Sequence, residues 1–318
     1  MRRLVLAAAI CAVVLAPSAQ ASVLLGLAGD TDRFRSQTGQ VTDSGHVFLG
    51  WNQGYLWGRQ FEAWFPLLGP TPMIAFGTKG LGGGEHITPA AIANGKGDGY
   101  LLNLNHEAAV WGGPIIVRPL AEMNGHWNYY CAYNANGSYR GAAHSTANFR
   151  RAFRRIYIVM HGGPLDALNA RLARWNMPPL HVAYDLPALP APQMRLLWNP
   201  QGYGSPNIKA NSAQAYYPGD GFVDIVGDDL YDIRYKAEWT ANQSLYAAHP
   251  SKPYAIGEWG LWGIDDPAFV RHMAGFVKTH PRVALLGWYK SQSGSIFDLA
   301  TKPKSRLAYK TYILPLGR

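Results

Sequence analysis

Eight short apolar runs, each followed by a polar or aromatic loop and then a helix-like stretch, place this sequence in the α/β class and predict a (β/α)8 TIM barrel. Three observations carry that expectation. Eight is the strand count that closes such a barrel, and a barrel of typically about 250 residues plus insertions uses nearly the whole chain. No phosphate-binding glycine fingerprint follows the first run, which disfavours an open doubly wound sheet. No repeat, low-complexity tract or linker interrupts the alternation, so residues 22–318 are read as one domain.

The elements follow in order. Residues 1–21, MRRLVLAAAICAVVLAPSAQA, read as a secretory signal peptide, with Arg2 and Arg3, an apolar run from Leu4 to Leu15 and the small-residue signal Ala19-Gln20-Ala21. The run is shorter than the roughly 20 residues of a spanning helix, so the expected mature product is exported, soluble and monomeric, with no membrane attachment after cleavage. Strands are expected at VLLGLA (23–28), VFLGW (47–51), PMIAFG (72–77), PIIVRP (114–119), MRLLWNP (194–200), VDIVGDD (223–229), PYAIGEW (253–259) and VALLGWY (283–289), each a β-branched or aliphatic run bounded by turn residues. The clearest helices are expected over 146–160, capped by Ser145 or Thr146, and over 165–175 and 266–279.

Composition narrows the function. Cleavage at residue 21 would remove one of the two cysteines, leaving Cys131 without a disulfide partner, so stability has to come from a large core. It would also remove two arginines, lowering the net charge from +9 to +7. Arg150, Arg151, Arg154 and Arg155 lie on one expected helix and are read as a solvated face rather than a nucleic-acid site. The 11 Trp and 18 Tyr are more telling, because several stand in loops after strands: Trp51, Trp57, Trp127, Tyr130, Trp259, Trp262 and Trp288. A sugar ring packs its C–H face on an aromatic face while its hydroxyls reach polar groups at the edge.

In a barrel, catalytic groups belong at the C-terminal strand ends. Glu122 follows the fourth expected strand in RPLAEMNGHW, and Glu258 ends the seventh in AIGEWG. Two carboxylates facing one cavity can divide the work of breaking a glycosidic bond. One holds a proton for the leaving oxygen, and the other stays ionised to attack the anomeric carbon or to activate water.

RPLAEMNG, the FRRAFRRI helix, LLWNP, YYPGDGFVDIVGDDLY and KPYAIGEWG, in this order, resemble the landmarks of glycoside hydrolase family 26 over about residues 24 to 290. The resemblance implies a retaining β-mannanase or related endo-β-glycanase without a cofactor or metal. It implies Glu122 as acid/base, Glu258 as nucleophile, Tyr231 as a hydrogen-bond donor to the nucleophile, and Asp229 and Arg118 beside it. Asn124 in the same EMNG motif is assigned to substrate binding, and Trp127 and Trp288 are candidate sugar platforms. The family pattern has histidine immediately before the acid/base, where this sequence has Ala121; His126 is the nearest imidazole in sequence.

Other motifs carry less. NHEAAV (105–110) lacks the second histidine of a zinc-protease helix, and GLGGGEH (80–86) lacks P-loop chemistry and is expected as a mobile loop at the barrel mouth. Asn136-Gly137-Ser138 and Asn242-Gln243-Ser244 fit the glycosylation pattern. Two rival functions remain: a carbohydrate-binding protein without catalysis, and a transglycosylase or lyase using the same carboxylates.

Overall fold

The computed structural model describes residues 22–182 and 186–318. The expected signal peptide lies outside the described residues, and none of the described helices is long and apolar enough to cross a membrane. Eight strands close into a barrel: β1 Leu24–Ala28, β2 Ser44–Leu49, β3 Met73–Phe76, β4 Ile115–Pro119, β5 Met194–Trp198, β6 Ile225–Asp232, β7 Tyr254–Leu261 and β8 Val283–Trp288. Each pairs in parallel with its sequence neighbours, and β1 pairs with β8. All eight expected strands are therefore present. Only β2 is displaced, beginning at the polar Ser44-Gly45-His46 stretch. That stretch carries no apolar signal, yet Gly45 belongs there because a Cβ would fall 2.7 Å from the Leu68 backbone.

Alternation along the strands divides the core in two. Leu24, Met73, Ile116, Leu197, Ile225, Ala255 and Leu285 fill the barrel's lower interior. The other faces pack against the helical ring, where the apolar stripe of helix Thr146–His161 buries Phe149, Phe153, Ile156 and Val159. Ser145 caps that helix, its side chain accepting from the Asn148 N–H.

Above the apolar layer the interior turns small and polar. A Cβ on Gly257 would press on the side chains of Asn199, Arg118 and Asp229, and one on Gly227 would press on Asn199. Glycine in β6 and β7 thus makes room for a layer of long polar side chains beneath the mouth.

The four arginines of helix Thr146–His161 do not form a solvated face. Arg155 is fully buried and pairs with Asp98, Arg154 stacks on Trp175 with its guanidinium 3.6 Å from the ring centroid, and Arg150 and Arg151 donate to the carbonyls of Ala215 and Asn176. They clamp loops, because a guanidinium has enough donors to satisfy several turn carbonyls at once. The glycine-rich loop is likewise tied down: Tyr129 Oη donates to Gly83 O at 3.1 Å, and Glu85 pairs with His144 at 2.8 Å. Asn242 of the second glycosylation pattern is buried and accepts from Tyr254 Oη at 2.7 Å, so it is closed to modification.

Candidate active site

Glu122 stands three residues past β4 on a backbone that no apolar pattern announces. Leu120 and Glu122 both have φ of 51°, the left-handed region that costs a non-glycine residue on the order of 1 kcal/mol. Hydrogen bonds hold the turn in place. Leu120 N donates to Phe76 O (2.8 Å), Glu122 N to Asn199 O (2.7 Å), Tyr130 Oη to Ala121 O (2.6 Å), and Asn128 Nδ2 to Glu122 O (2.9 Å). Both carboxylate oxygens of Glu122 are engaged as well, Oε2 by Trp127 Nε1 at 2.8 Å and Oε1 by Gln201 Nε2 at 2.6 Å.

Glu258 reaches the same mouth by a different device. Ala255 faces the lower interior and Ile256 the helices, so strict alternation would send Glu258 outward. The register between β6 and β7 steps from Asp228↔Ile256 to Asp229↔Glu258, a bulge that skips Gly257 and re-aims Glu258. There Arg118 Nη1 donates to Oε1 at 2.5 Å and Tyr231 Oη to Oε2 at 2.5 Å. Arg118 Nη2 binds Asp229, which also accepts from Asn199 Nδ2 at 3.0 Å. One buried guanidinium therefore bridges two carboxylates.

The electrostatics follow from burial and from that sharing. Glu122 is pushed above the usual carboxylate range, first by burial and then by the charge of Glu258, while Arg118, Trp127 and Gln201 pull the other way. Burial also raises Asp229 well above its ordinary value despite Arg118, and raises the neighbouring Asp228 to about 7. Tyr231 is held well above its usual range by burial and by Glu258, so its hydroxyl keeps its proton and donates. Burial opposes the charge on Arg118, but Asp229, Glu258 and Glu122 outweigh it and raise the guanidinium further.

Two hollows meet at the glutamates. One, of about 610 Å³, runs along the β5 to β7 loops and is lined by Trp127, Gln201, Tyr203, Tyr231, Trp262 and Tyr289. The other, of about 240 Å³, lies against β2, β3 and β4. Both include Glu122, Glu258 and Tyr289. The structure thus brings Arg118, Glu122, Trp127, Asp229, Tyr231 and Glu258 together.

Two expected sugar-contacting residues are placed elsewhere. Trp288 is fully buried among Phe34, Trp259 and Tyr309, with Nε1 donating to Phe297 O at 3.2 Å. Strand alternation turns it to the helices and presents the next residue, Tyr289, to the cleft. Asn124 is buried and locked reciprocally to the Gln201 backbone (2.8 and 2.9 Å), so it positions Gln201 and its loop instead of facing substrate. His126 does not fill the space beside Ala121; its ring meets Ser205 Oγ at 3.1 Å and the edge of Trp127. Gln201 and Asn128 escaped sequence reasoning, because each lies beyond a strand end in a loop whose course no pattern reveals. Among the described residues, no cluster of three or more His, Cys, Asp or Glu is placed to hold a metal.

Fold and site together define a parallel (β/α)8 barrel with a two-glutamate cleft at its C-terminal mouth. Scanned against models of protein families, the chain matches none. It is similar to endoglucanase H of Acetivibrio thermocellus, with 21% identity over 294 residues, and it spans 28% of that protein's length and 88% of its own. Among solved structures it is similar to the Bacillus subtilis mannanase Man26 (18% identity, TM-score 0.58, covering 92% of this chain and 86% of that one). The modular endo-β-1,4-mannanase of Cellulomonas fimi gives 16% identity and TM-score 0.61, with 92% and 70% covered. A family 26 β-mannanase from Bacteroides ovatus gives 16% and 0.55, with 92% and 88% covered. At these identities the solved structures establish a shared fold.

Proposed function

We propose that this protein is a secreted, retaining glycoside hydrolase that cleaves a β-linked polysaccharide of mannan type or a related β-glycan. The observation that carries the reading is the opposite provision made for two glutamates in one cleft. Glu122 is raised by burial and by its neighbour, which suits a group that must hold a proton. Glu258 takes a charged donor, the Arg118 guanidinium, on one oxygen and the Tyr231 hydroxyl on the other, whereas both donors to Glu122 are neutral. The names of the similar proteins, mannanases and an endoglucanase, support the same reaction class.

In this mechanism Glu258 attacks the anomeric carbon as the Glu122 proton passes to the departing oxygen, and the C–O bond to the leaving sugar breaks. Water then enters, gives a proton to Glu122 and displaces Glu258, restoring both groups. Trp127 and Gln201 fix the acid so that the proton is delivered to one place, a contribution of about 10² to 10⁴ in rate for general acid catalysis. The exposed Trp127, Tyr203 and Trp262 along the larger hollow supply faces for successive sugars.

The test is product release from β-mannans, β-glucans and xylans by the mature chain, with Glu258→Ala as control. Release that disappears in the folded variant sustains the reading and names the polymer class. A folded wild type that binds a panel member without cleaving it replaces hydrolysis by carbohydrate binding, and an unsaturated or transferred product identifies a lyase or a transglycosylase.

A further inference from the structure

At the end of the barrel away from the glutamates, Arg195, Lys252, Arg282 and Arg318 line an open hollow of about 450 Å³, with Ser22 and Ser251 beside them. Leu24 and Val283, the first residues of β1 and β8, belong to its wall, which places it at the base of a barrel whose strands all run the same way. Alternation puts Arg195 on the inward face of β5 with Leu197, below the apolar layer of the lower interior.

The base of a barrel ordinarily serves stability, and cations that serve stability are paired, as Arg155 is with Asp98. These are not. No Asp or Glu lines the hollow, and among the described residues none of the four cations takes part in an ion pair. Lys252 Nζ donates to Asp220 O and Val223 O (both 2.7 Å), and Arg282 donates to the carbonyls of Tyr246, His249 and Lys252 (2.6 to 2.8 Å). Carbonyls fill donors without cancelling charge, so both side chains are fixed in place as uncompensated cations.

Arg195 is freer still, because its half-buried guanidinium makes no hydrogen bond or ion pair among the described residues. Burial and the nearby Arg318 hold it below its usual range, with Asp224 opposing them. Asp224 itself is taken up by Leu196 N (2.7 Å), Tyr157 Oη (3.0 Å) and His161 (3.0 Å). A planar fork of free N–H donors beside three further cations and two serine hydroxyls is a receiving surface for oxyanions.

We propose that this hollow binds the carboxylates of an acidic polysaccharide, holding the protein to that polymer by the face opposite its catalytic mouth. Separate cations in one open hollow match a chain that carries a carboxylate on successive sugars, and the serine hydroxyls match the sugar hydroxyls between them. The proposal goes beyond the hydrolase reading and does not depend on it, since nothing in the cleft enters it.

The test is titration of the mature chain at low salt with polygalacturonate, with inorganic phosphate and with a DNA duplex. Polygalacturonate is expected to bind, to weaken as salt rises, and to lose about tenfold or more in affinity in Arg195→Gln, the order for a hydrogen bond to a charged group. Lys209→Gln, which removes an exposed charge from the segment after β5, is expected to bind as wild type does. No binding of polygalacturonate, an Arg195→Gln affinity equal to wild type, or an equal loss in Lys209→Gln overturns the proposal, the last because overall positive charge then accounts for the binding. Phosphate bound through Arg195 without polygalacturonate overturns the polymer as ligand in favour of the free ion. DNA bound through Arg195 as tightly as polygalacturonate overturns the polysaccharide as the partner. Should Arg195→Gln fail to fold, footprinting of the wild type with phenylglyoxal decides. Polygalacturonate is expected to protect Arg195 and not the exposed Arg271, and equal modification of Arg195 with and without the polymer overturns the site.

Discussion

Two buried arginines in this barrel are built from the same chemistry to opposite ends. Arg155, on helix Thr146–His161, faces one carboxylate, Asp98, with Nε and Nη2 on its two oxygens (2.7 and 2.5 Å), and its Nη1 donates to Pro178 O at 2.8 Å. Charge is matched one to one. Arg118, on β4, is shared between Asp229 and Glu258 with Glu122 close enough to be felt, and its Nε has no partner. Three carboxylates surround one cation, and the excess negative charge is part of what lifts Glu122 and Asp229. A balanced pair holds structure in place, whereas an unbalanced one stores a proton at a chosen oxygen.

The sharpest break of this comparison is at Glu258. Glu258→Ala is expected to lower kcat by about 10⁴ or more with the fold retained, as removal of a nucleophile does; a folded variant with wild-type turnover removes the functional half of the contrast. Next comes the balanced pair. Arg155→Met strands Asp98 and should cost about 3–5 kcal/mol of stability, read by chemical denaturation, with kcat per folded molecule unchanged. Arg118→Lys should do the reverse, lowering kcat/KM at least tenfold on the order expected when a forked donor is replaced by a point charge, with a smaller loss of stability. If the two variants give the same pattern, the distinction fails.

Smaller effects sharpen the account of the acid. Activity should fall as pH rises through the raised pKa of Glu122, so the basic limb of the kcat/KM profile belongs to that group. The Trp127 donor favours the ionised carboxylate, so Trp127→Phe should move that limb to higher pH; a shift downward contradicts the hydrogen-bond assignment. The smallest effect expected is at Asp228, raised to about 7 by burial. Its folded value exceeds the unfolded one of about 3.9, so its contribution to stability is present at low pH and is lost as pH rises through about 7. Asp228→Asn keeps an oxygen for the Gly202 and Asp229 N–H groups without the buried charge. Its Tm should match wild type near pH 4 and exceed it near pH 8, by about 2–4 °C for each kcal/mol relieved.

Legibility in the sequence was uneven for physical reasons. The strands were readable because a parallel barrel buries both faces, which forces unbroken apolar runs such as LLGLA and MIAF. The glutamates were readable because strand ends open on one mouth. Arg155 was misread because its partner, Asp98, is 57 residues away in the chain, and helical periodicity cannot report a contact at that range. Trp288 was misread for a local reason: in a strand, one position decides whether a ring meets the helices or the cleft, and Tyr289 is the one that faces the cleft.

The sequence alone determined the eight strands, their parallel order and the two carboxylates, since these depend on period, count and position at strand ends. Tertiary structure alone decided which way Glu258 points, because a bulge at Gly257 overrides alternation. It decided that Gln201 and Trp127 hold Glu122. The Gln201 contact joins loops 79 residues apart and is set by how the closed barrel brings strand ends together, which neighbouring residues along the chain do not encode.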